Sequence, residues 1–204
     1  MNKIITIGRQ YAAGGRLIGE LLANRLGFQF FDKELISMAA KESGLCSELY
    51  EKADEKKRFT FFHGVLHGHP TTAGIMDNYI NNETLFKIQS DIIRSLAETN
   101  DCIFVGRGSD YVLRDNPNIL NIFITADIND RIERLSERQN LPNNRDMMLD
   151  ILEKTDKKRA NFYNYFTNKQ WGTASSYHLT INSSLLGIER TVDTIVAIAN
   201  DCLK

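Results

Sequence analysis

The sequence predicts an α/β protein whose centre is an open parallel sheet of five strands. Short apolar segments alternate with longer amphipathic ones along the 204 residues, which is the pattern of strands joined by helical crossovers. A glycine-rich turn separates the first apolar segment from the first amphipathic one. Because 42% of the residues are hydrophobic, the chain can bury one substantial core, and we expect a single domain over residues 1–204.

The first half of the chain carries two of the strands. Lys3 to Ile7 is the first, and leucines at helical spacing follow it until Gly27, which predicts a helix with a glycine C-cap. The segment "FQFFD" is the second strand, and its last residue, Asp32, caps a helix that ends at Gly44. From Leu45 to Tyr79 the periodicity weakens, and this irregular excursion is long enough to reach a partner subunit in a homodimer.

The second half supplies three further strands and their helices. A helical period over Asn82–Glu98 precedes the third strand, "CIFVG". The fourth strand is "LNIFITA" and the fifth is "HLTIN", with a long charged helical region from Asn129 to about Asn168 between them. A final helix is predicted from Leu186 to Leu203. Ligands of such sheets lie beyond the carboxyl ends of the strands, so functional residues are expected there.

The composition excludes several classes of partner. A net charge of −1 and a pI of about 6.4 give no global attraction to nucleic acid or to an acidic membrane, so an anion site must be local. Cys46, Cys102 and Cys202 are widely spaced and form no CxxC pair, which favours reduced thiols. The amino terminus has no signal-like pattern and no segment approaches ~18 uninterrupted apolar residues, so we expect a cytoplasmic protein without membrane contact.

The turn after the first strand, "GRQYAAGGR", has the outline of a phosphate-binding loop. A strand that enters a glycine-rich turn and then a helix directs backbone N–H groups and the positive end of the helix dipole at one spot. The usual pattern, GxxxxGK[ST], carries a lysine and a hydroxyl where this chain has Gly15 and Arg16. Two interpretations stay open for this segment alone: a phosphate site without the lysine, and a plain strand-to-helix turn.

Arginines near other strand ends favour the first interpretation. Arg107 lies between two glycines after the third strand, Arg131 follows the fourth strand, and Arg159 lies on the next predicted helix three residues after Asp156. A solvated helix laced with ion pairs is the alternative for the arginines that follow the fourth strand. Phosphoryl transfer needs several guanidinium groups at one edge, because charge spreads over the oxygens of the transferred group.

Six stretches in this order resemble the bacterial cytidylate kinase-like family, a branch of the P-loop nucleoside monophosphate kinases. They are "IGRQYAAGGRLIGELLANRLG", "FFDKELI", "VGRGSDYVL", "IFITADINDRIERL", "DKKRANFYNYFTNKQWG" and "YHLTINSSLLGIERTVDTI". The resemblance covers most of the chain and is weakest from Leu45 to Tyr79. It implies a three-layer P-loop NTPase fold, an acceptor-binding lobe over residues 33–98 and a lid over residues 139–177. It also implies ATP as the phosphoryl donor, Mg²⁺ as its metal, and a nucleoside monophosphate of the CMP or dCMP type as the acceptor.

The resemblance also assigns roles to residues. Asp32 matches the aspartate that faces the acceptor nucleoside, and Gly106-Arg107-Gly108 matches a Gly-Arg-Asp segment with glycine in place of the aspartate. The implied catalytic residues are Arg16, Arg107, Arg131 and Arg159. The implied acceptor-binding residues are Asp32, Arg107 and Asp110. The implied phosphate-binding residues are Gly8, Arg9, Gln10, Tyr11, Ala12, Ala13, Gly14, Gly15, Arg16 and Leu17.

The chain departs from this pattern at the loop. The family tends to carry Gly-Arg-Gln-Tyr-Gly-Ser-Gly-Gly-Arg, so the missing lysine belongs to the family, and Ala12-Ala13 in place of Gly-Ser is particular to this chain. Alanine in place of a glycine with positive φ costs about 1 kcal/mol or more. We therefore expect a loop that is reshaped or that never needed that conformation. No protein metal ligand is identified, and Asp110 and Asp127, the nearest candidates for a Walker-B aspartate, are equally explained as helix caps.

Other side chains give weaker signals. His63, His67 and His69 are close in sequence but lack a nearby pair of carboxylates, so loop chemistry is favoured over a metal site. Two sets of aromatic residues fit either a base-binding pocket or ordinary packing: Phe59, Phe61, Phe62 and Tyr79, and Trp171 with Tyr163 and Tyr165.

Two functions from different classes remain at this stage. The first is an ATP-dependent phosphotransferase in which the loop holds the donor, Arg107 and Arg131 clamp the acceptor, and Arg159 covers the transferred group. The second is a non-catalytic nucleotide or anion sensor that retains the fold after losing the lysine. Both predict a small-molecule partner, and neither predicts binding of nucleic acid.

Overall fold

Five short apolar segments form one sheet at the centre of the molecule. The computed structural model describes residues 2–42, 73–139 and 144–204. The strands are β1 (Ile4–Arg9), β2 (Gln29–Phe31), β3 (Cys102–Val105), β4 (Ile119–Thr125) and β5 (Leu179–Asn182). Every pairing between neighbours is parallel, and the spatial order is β2-β3-β1-β4-β5. The predicted five-stranded parallel sheet is confirmed.

Helices connect the strands and cover the sheet. They are α1 (Gly15–Leu26), α2 (Lys33–Glu42), α3 (Ala73–Thr99), α4 (Ser109–Val112), α5 (Ile128–Gln139), α6 (Arg145–Thr167) and α7 (Ser183–Cys202). The predicted caps are present: Gly27 ends α1 with a φ of 71°, and Asp32 Oδ1 accepts hydrogen bonds from the N–H groups of Glu34 and Leu35 at the start of α2.

Successive side chains of the strands point to opposite faces of the sheet, so the core forms two layers, one on each face. Ile5 and Ile7 face α1 and α7, where they pack with residues such as Ile18 and Val192. Ile4 faces the other side, where it packs with Ile93 of α3 among others. Both faces of the sheet are thus covered by helices, which is the arrangement that a parallel sheet requires.

The helix predicted over Asn82–Glu98 begins nine residues earlier, at Ala73, so the end of the predicted irregular excursion from Leu45 to Tyr79 is helical. The earlier part of that excursion, residues 45–72, lies outside the described residues.

Other elements also differ from the sequence prediction in their bounds. Strand β1 continues to Arg9, because Gly8 and Arg9 keep their register with Phe123 and Ile124 of β4. The charged region after β4 forms two helices, and residues 140–143, with Pro142, lie between them in the sequence. Helix α7 begins three residues earlier than predicted and is broken at Gly187, whose φ of 74° and ψ of 168° are not helical.

The strand order places two chain segments side by side at the carboxyl edge of the sheet. Strands β1 and β3 are neighbours, and Ile7 is paired with Val105. The loop after β1 leads to α1, and the loop after β3 begins at Gly106, whose N–H group donates to Ile7 O at 3.0 Å. The two glycine-containing loops that carry the predicted arginines are therefore adjacent, at the edge where ligands of open α/β sheets bind.

Candidate phosphate site

The loop between β1 and α1 begins the helix without a side-chain cap. Gly14 is the N-cap residue, with a φ of 82°, and no side chain bonds to the first turn. The first helical hydrogen bond is from Ile18 N–H to Gly14 O at 2.9 Å. The N–H groups before Ile18 thus have no acceptor within the helix, and such free N–H groups at a helix start attract an anion.

Ala12 adopts the conformation that the sequence predicted it would avoid. Its φ is 59°, in the left-handed region that L-residues other than glycine rarely occupy. The expectation of a reshaped loop is therefore wrong, because the loop keeps a positive φ despite the side chain. Contacts compensate for the strain, since Ala12 and Tyr11 pack against a cluster formed by α5 and α6 that includes Leu135 and Leu152.

A buried ion pair fixes the tip of this loop. The side chain of Asp156 accepts a hydrogen bond from Tyr11 N–H at 2.7 Å, and Arg131 Nε donates to Tyr11 O at 2.8 Å. Arg131 also pairs with Asp156, and its side chain is 7% exposed. Both polar groups of the Tyr11 backbone are thus satisfied by one ion pair. The structure engages Arg131 in this contact, close enough to Arg159 that burial and, to a smaller extent, the charge of Arg131 lower the pKa of Arg159.

The two ends of the loop are fastened to neighbouring elements. The side-chain oxygen of Gln10 accepts hydrogen bonds from the Thr125 hydroxyl and from Ala126 N–H, where β4 ends. The Ser183 hydroxyl donates to Ala13 O at 2.9 Å, where α7 begins. The loop is held at several points, so its conformation is preorganised before any ligand arrives.

The loop after β3 has an unusual backbone. Gly106, Arg107 and Gly108 have φ values of 82°, 62° and 66°. A non-glycine residue in this conformation is strained and persists only where its surroundings hold it. Gln89 of α3 provides one such contact, since its side-chain oxygen accepts a hydrogen bond from Arg107 Nε at 2.9 Å, and the ring of Phe162 lies 4.6 Å from the Arg107 guanidinium carbon.

Helix α6 lies across both loops and presents one face to them. This face carries Asp156, Arg159, Phe162 and Phe166, which are three or four positions apart, together with Tyr163. Arg159 Nη1 donates to Arg9 O at 3.0 Å, and its guanidinium lies 5.1 Å from the ring centre of Tyr11. The rings of Phe166 and Phe86 of α3 stack 4.2 Å apart. This helix joins the two loops into one site.

Three guanidinium groups meet at this edge without a carboxylate partner. Arg9, Arg107 and Arg159 are partly buried, and none of them forms a salt bridge among the residues that the structure describes. Burial, followed by the charges of Arg159 and Arg107, lowers the pKa of Arg9 to about 9. Burial lowers the pKa of Arg107 to about 10 and that of Arg159 as well. An anion between them would offset this unfavourable concentration of positive charge.

Arg16 and Asp32 lie together beside this cluster and neutralise each other. Arg16 Nε donates to Asp32 Oδ2 at 2.8 Å, and Arg16 Nη1 lies 2.9 Å from Glu20. The hydrogen bond to Asp32 raises the pKa of Arg16. The other oxygen of Asp32 caps α2, so this carboxylate has partners on both oxygens. The structure thus pairs the Arg16 guanidinium with two carboxylates.

Asp110 is buried away from solvent in a network of tyrosines. Its Oδ2 accepts a hydrogen bond from the Tyr163 hydroxyl at 2.7 Å, and only 6% of the residue is exposed. Burial raises the pKa of this carboxyl, while the Tyr163 hydrogen bond and the charge of Lys169 lower it in part. Asp110 follows β3 as predicted, but its carboxylate packs inward beneath α6.

The weaker sequence signals have mixed outcomes. His63, His67, His69 and the aromatic residues from Phe59 to Phe62 lie outside the described residues, as does the side chain of Tyr79. Trp171 packs edge-on against Phe123 with ring centres 5.1 Å apart, and Gly172 lies against the same ring. The Trp171 region is therefore packed against the sheet.

Among the described residues, those near the loop do not form a magnesium site of the protein's own. No group of three His, Cys, Asp or Glu side chains that could hold a metal ion occurs within the described ranges. Arg16 stands where the usual loop has its metal-binding hydroxyl, and both Asp32 and Asp110 are engaged elsewhere. The glycine loop with its uncapped helix and three arginines does fit the phosphates of a nucleotide.

Comparison with known proteins defines the class first. A protein from Eubacterium ventriosum, described as uncharacterized, has a structure similar to this chain, with a TM-score of 0.74, 23% identity, and 98% of this chain and 99% of that chain covered. A shikimate kinase from Bacteroides thetaiotaomicron is similar with a TM-score of 0.54 and 16% identity over 97% of this chain and 98% of that chain. The fold is that of the P-loop kinases.

The family follows from the sequence match. Residues 4–185 match the cytidylate kinase-like family, and the chain belongs to that family. Among functionally curated proteins, no match is found. The family and the fold indicate a nucleotide-dependent phosphotransferase. In residues 2–42, 73–139 and 144–204, no helix is both long enough and apolar enough to cross a lipid bilayer.

The strain at Ala12 generates a stability prediction. We expect Ala12→Gly to increase the free energy of unfolding by about 0.5–1 kcal/mol, because relief of the positive φ exceeds the entropic cost of glycine. Chemical denaturation measures this difference. Ala13→Gly is the matched control, since Ala13 is fully buried and has no positive φ, and this change should destabilise. A loss of stability in Ala12→Gly equal to that of the control would contradict the strain.

The raised pKa of Asp110 generates a prediction on pH. Burial disfavours the ionised carboxylate, so this group destabilises the fold above its folded-state pKa, and the penalty disappears as the pH falls toward its ordinary value of 3.8. Asp110→Asn keeps an acceptor for Tyr163 without the charge. We expect it to raise the melting temperature at pH 7.5, with a gain that shrinks by pH 4.5. Asp115→Asn, at an exposed site, should change neither value.

Proposed function

We propose that this protein transfers the terminal phosphoryl group of ATP to a nucleoside monophosphate of the CMP or dCMP type. The observation that carries this proposal is the cluster of Arg9, Arg107 and Arg159, which has no described carboxylate partner and lies beside the uncapped start of α1. Such a concentration of positive charge suits a ligand with several negative charges. Donor and acceptor phosphates meeting in line provide them.

The state of the carboxylates favours a phosphate as the acceptor group. An alcohol acceptor is activated by a base that takes its proton, whereas an acceptor phosphate is already an anion. Asp32 is occupied by Arg16 and by the α2 cap, and Asp110 is bonded to Tyr163. Among the described residues at this edge, neither carboxylate is therefore placed as a general base, which agrees with a monophosphate acceptor.

The proposed reaction assigns one task to each part of the site. Backbone N–H groups at the start of α1 bind the donor phosphates, and Arg107 binds the acceptor phosphate. Arg159, which α6 holds against Arg9, neutralises charge on the phosphoryl group as it moves. An acceptor phosphate oxygen forms the new bond to phosphorus, and the bond between that phosphorus and the bridging β-phosphate oxygen breaks. Arg131 and Asp156 act as positioning residues, since they fix the backbone of Tyr11.

A direct assay tests this proposal. Purified protein with ATP and Mg²⁺ is given each ribo- and deoxyribonucleoside monophosphate in turn, and ADP formation is followed by a coupled reaction. We expect turnover with CMP or dCMP at rates above the other monophosphates. Absence of ADP formation with every monophosphate would overturn the proposal. If calorimetry then still showed ATP binding, the result would support the non-catalytic nucleotide sensor.

Variants of two arginines separate their tasks. Arg159→Ala should lower kcat about 10³-fold with a smaller effect on the KM for the acceptor, because its charge acts on the transferred group. Arg107→Ala should instead raise the KM for the acceptor at least tenfold. Steady-state kinetics measures both. Arg94→Ala removes an exposed arginine of α3 and should leave both constants within twofold. Equal effects of the two variants on kcat alone would contradict the separate tasks.

A further inference from the structure

The glycine at position 15 has a specific neighbour. A Cβ atom placed on Gly15 would lie 2.7 Å from Arg9 Cβ and 2.9 Å from Arg9 Cγ. Distances below 3.0 Å are repulsive, so a residue with a side chain at this position requires Arg9 to move. The aliphatic part of the Arg9 side chain thus occupies the space that the Cβ atom of a side chain at position 15 would need. Position 15 is where the usual phosphate loop has its lysine.

The far end of the Arg9 side chain has an equally specific position. A Cβ atom on Gly106 would overlap Arg9 Nη1. The side chain therefore runs from the β1 loop to the β3 loop, and its guanidinium lies against the backbone that carries Arg107. Two glycines, one in each loop, leave the room that this path requires.

The guanidinium of Arg9 is available for an anion. Among the described residues, no carboxylate forms a salt bridge with it, although the charge of Asp32 is near enough to raise the pKa of Arg9 slightly against the larger effects of burial and of Arg159. Its backbone oxygen is engaged by Arg159, but its side chain donates none of the hydrogen bonds found in the described part of the chain. A partly buried cation without a partner is costly, and a phosphate would relieve that cost.

Arg16 is engaged by carboxylates in the structure. Its guanidinium is paired with Asp32 and Glu20. Arg131 is likewise occupied by Asp156 and Tyr11. The aliphatic part of the Arg9 side chain, in contrast, lies beside Gly15, where the usual loop has its lysine. The Arg9 guanidinium lies beside Gly106 in the loop after β3.

We propose that Arg9 binds the terminal phosphate of the nucleotide in place of the missing P-loop lysine, and that position 15 is glycine because the Arg9 stem fills the lysine's space. This inference rests on the proposed nucleotide-binding function and adds the residue that supplies the charge. The positive charge on the phosphate can therefore be supplied by a side chain at residue 9 or at residue 15, but the two side chains would overlap if both were present.

The pair is tested by binding measurements that do not need turnover. Isothermal titration calorimetry with AMP, ADP, ATP and inorganic tripolyphosphate is carried out on the wild type, Arg9→Ala, Gly15→Lys and the double variant Arg9→Ala/Gly15→Lys. We expect Arg9→Ala to weaken ATP and tripolyphosphate binding about 10- to 100-fold and AMP binding little. Gly15→Lys alone should also weaken ATP binding, because its lysine overlaps the Arg9 stem. The double variant should bind ATP at least tenfold more tightly than either single variant.

Controls separate folding from binding. Arg9→Lys keeps a charge at residue 9 and should retain ATP affinity within about tenfold, and Arg94→Ala should match the wild type. Circular dichroism and melting temperature establish that each variant is folded. If Arg9→Ala cannot be purified folded, the comparison of the double variant with Gly15→Lys still decides the question.

The outcomes distinguish this inference from the proposed function. ATP binding by Arg9→Ala equal to that of the wild type, or a double variant no tighter than the single ones, would overturn the role of Arg9 and leave the kinase proposal standing. Arg9-dependent binding of tripolyphosphate without binding of ATP would support Arg9 and overturn the nucleotide function. A wild type that binds neither probe would overturn both.

Discussion

The repulsion among Arg9, Arg107 and Arg159 is the constraint on which the rest of the site depends. Like charges held together and partly buried are unfavourable, and burial with neighbouring arginines lowers the pKa of Arg9 to about 9. The fold keeps them together through strong local restraints: a three-residue run of positive φ around Arg107, and the hydrogen bond from Arg159 to Arg9 O. Such charge repulsion and backbone strain lower the stability of the free protein, and they are typical of functional sites, where a bound ligand offsets them.

Helix α6 couples the two loops of the site. Asp156 fixes the Tyr11 backbone together with Arg131, Arg159 bonds to Arg9, and Phe162 covers the guanidinium of Arg107. A displacement of this helix would therefore remove three restraints at once, and the two loops would lose their relative position. This helix, Arg145–Thr167, falls within residues 139–177, the region that the resemblance predicts as a lid, and its contacts join that region to the loop after β1.

The sequence predicts the sheet well and the side chains of the site only in part. Apolar alternation and the caps at Gly27 and Asp32 depend on local chemistry, so they could be inferred from the residues themselves. The positive φ of Ala12 could not, because its cost is offset by packing against α5 and α6, which are distant in sequence. The sequence predicts both Arg16 and Arg9 among the phosphate-binding residues and favours Arg16 as the source of charge. Only the long-range contacts with Asp32 and Gly106 favour Arg9 instead.

A crystal structure with a non-hydrolysable ATP analogue tests the central claim, that one run of phosphates occupies the arginine cluster, most directly. The terminal phosphate should lie within hydrogen-bond distance of the Arg9 and Arg159 guanidinium groups, with the remaining phosphates on the N–H groups at the start of α1. The side chain of Arg16 should remain paired with Asp32. Phosphates bound outside the cluster, with Arg16 turned onto them and Arg9 paired to a carboxylate, would contradict the account.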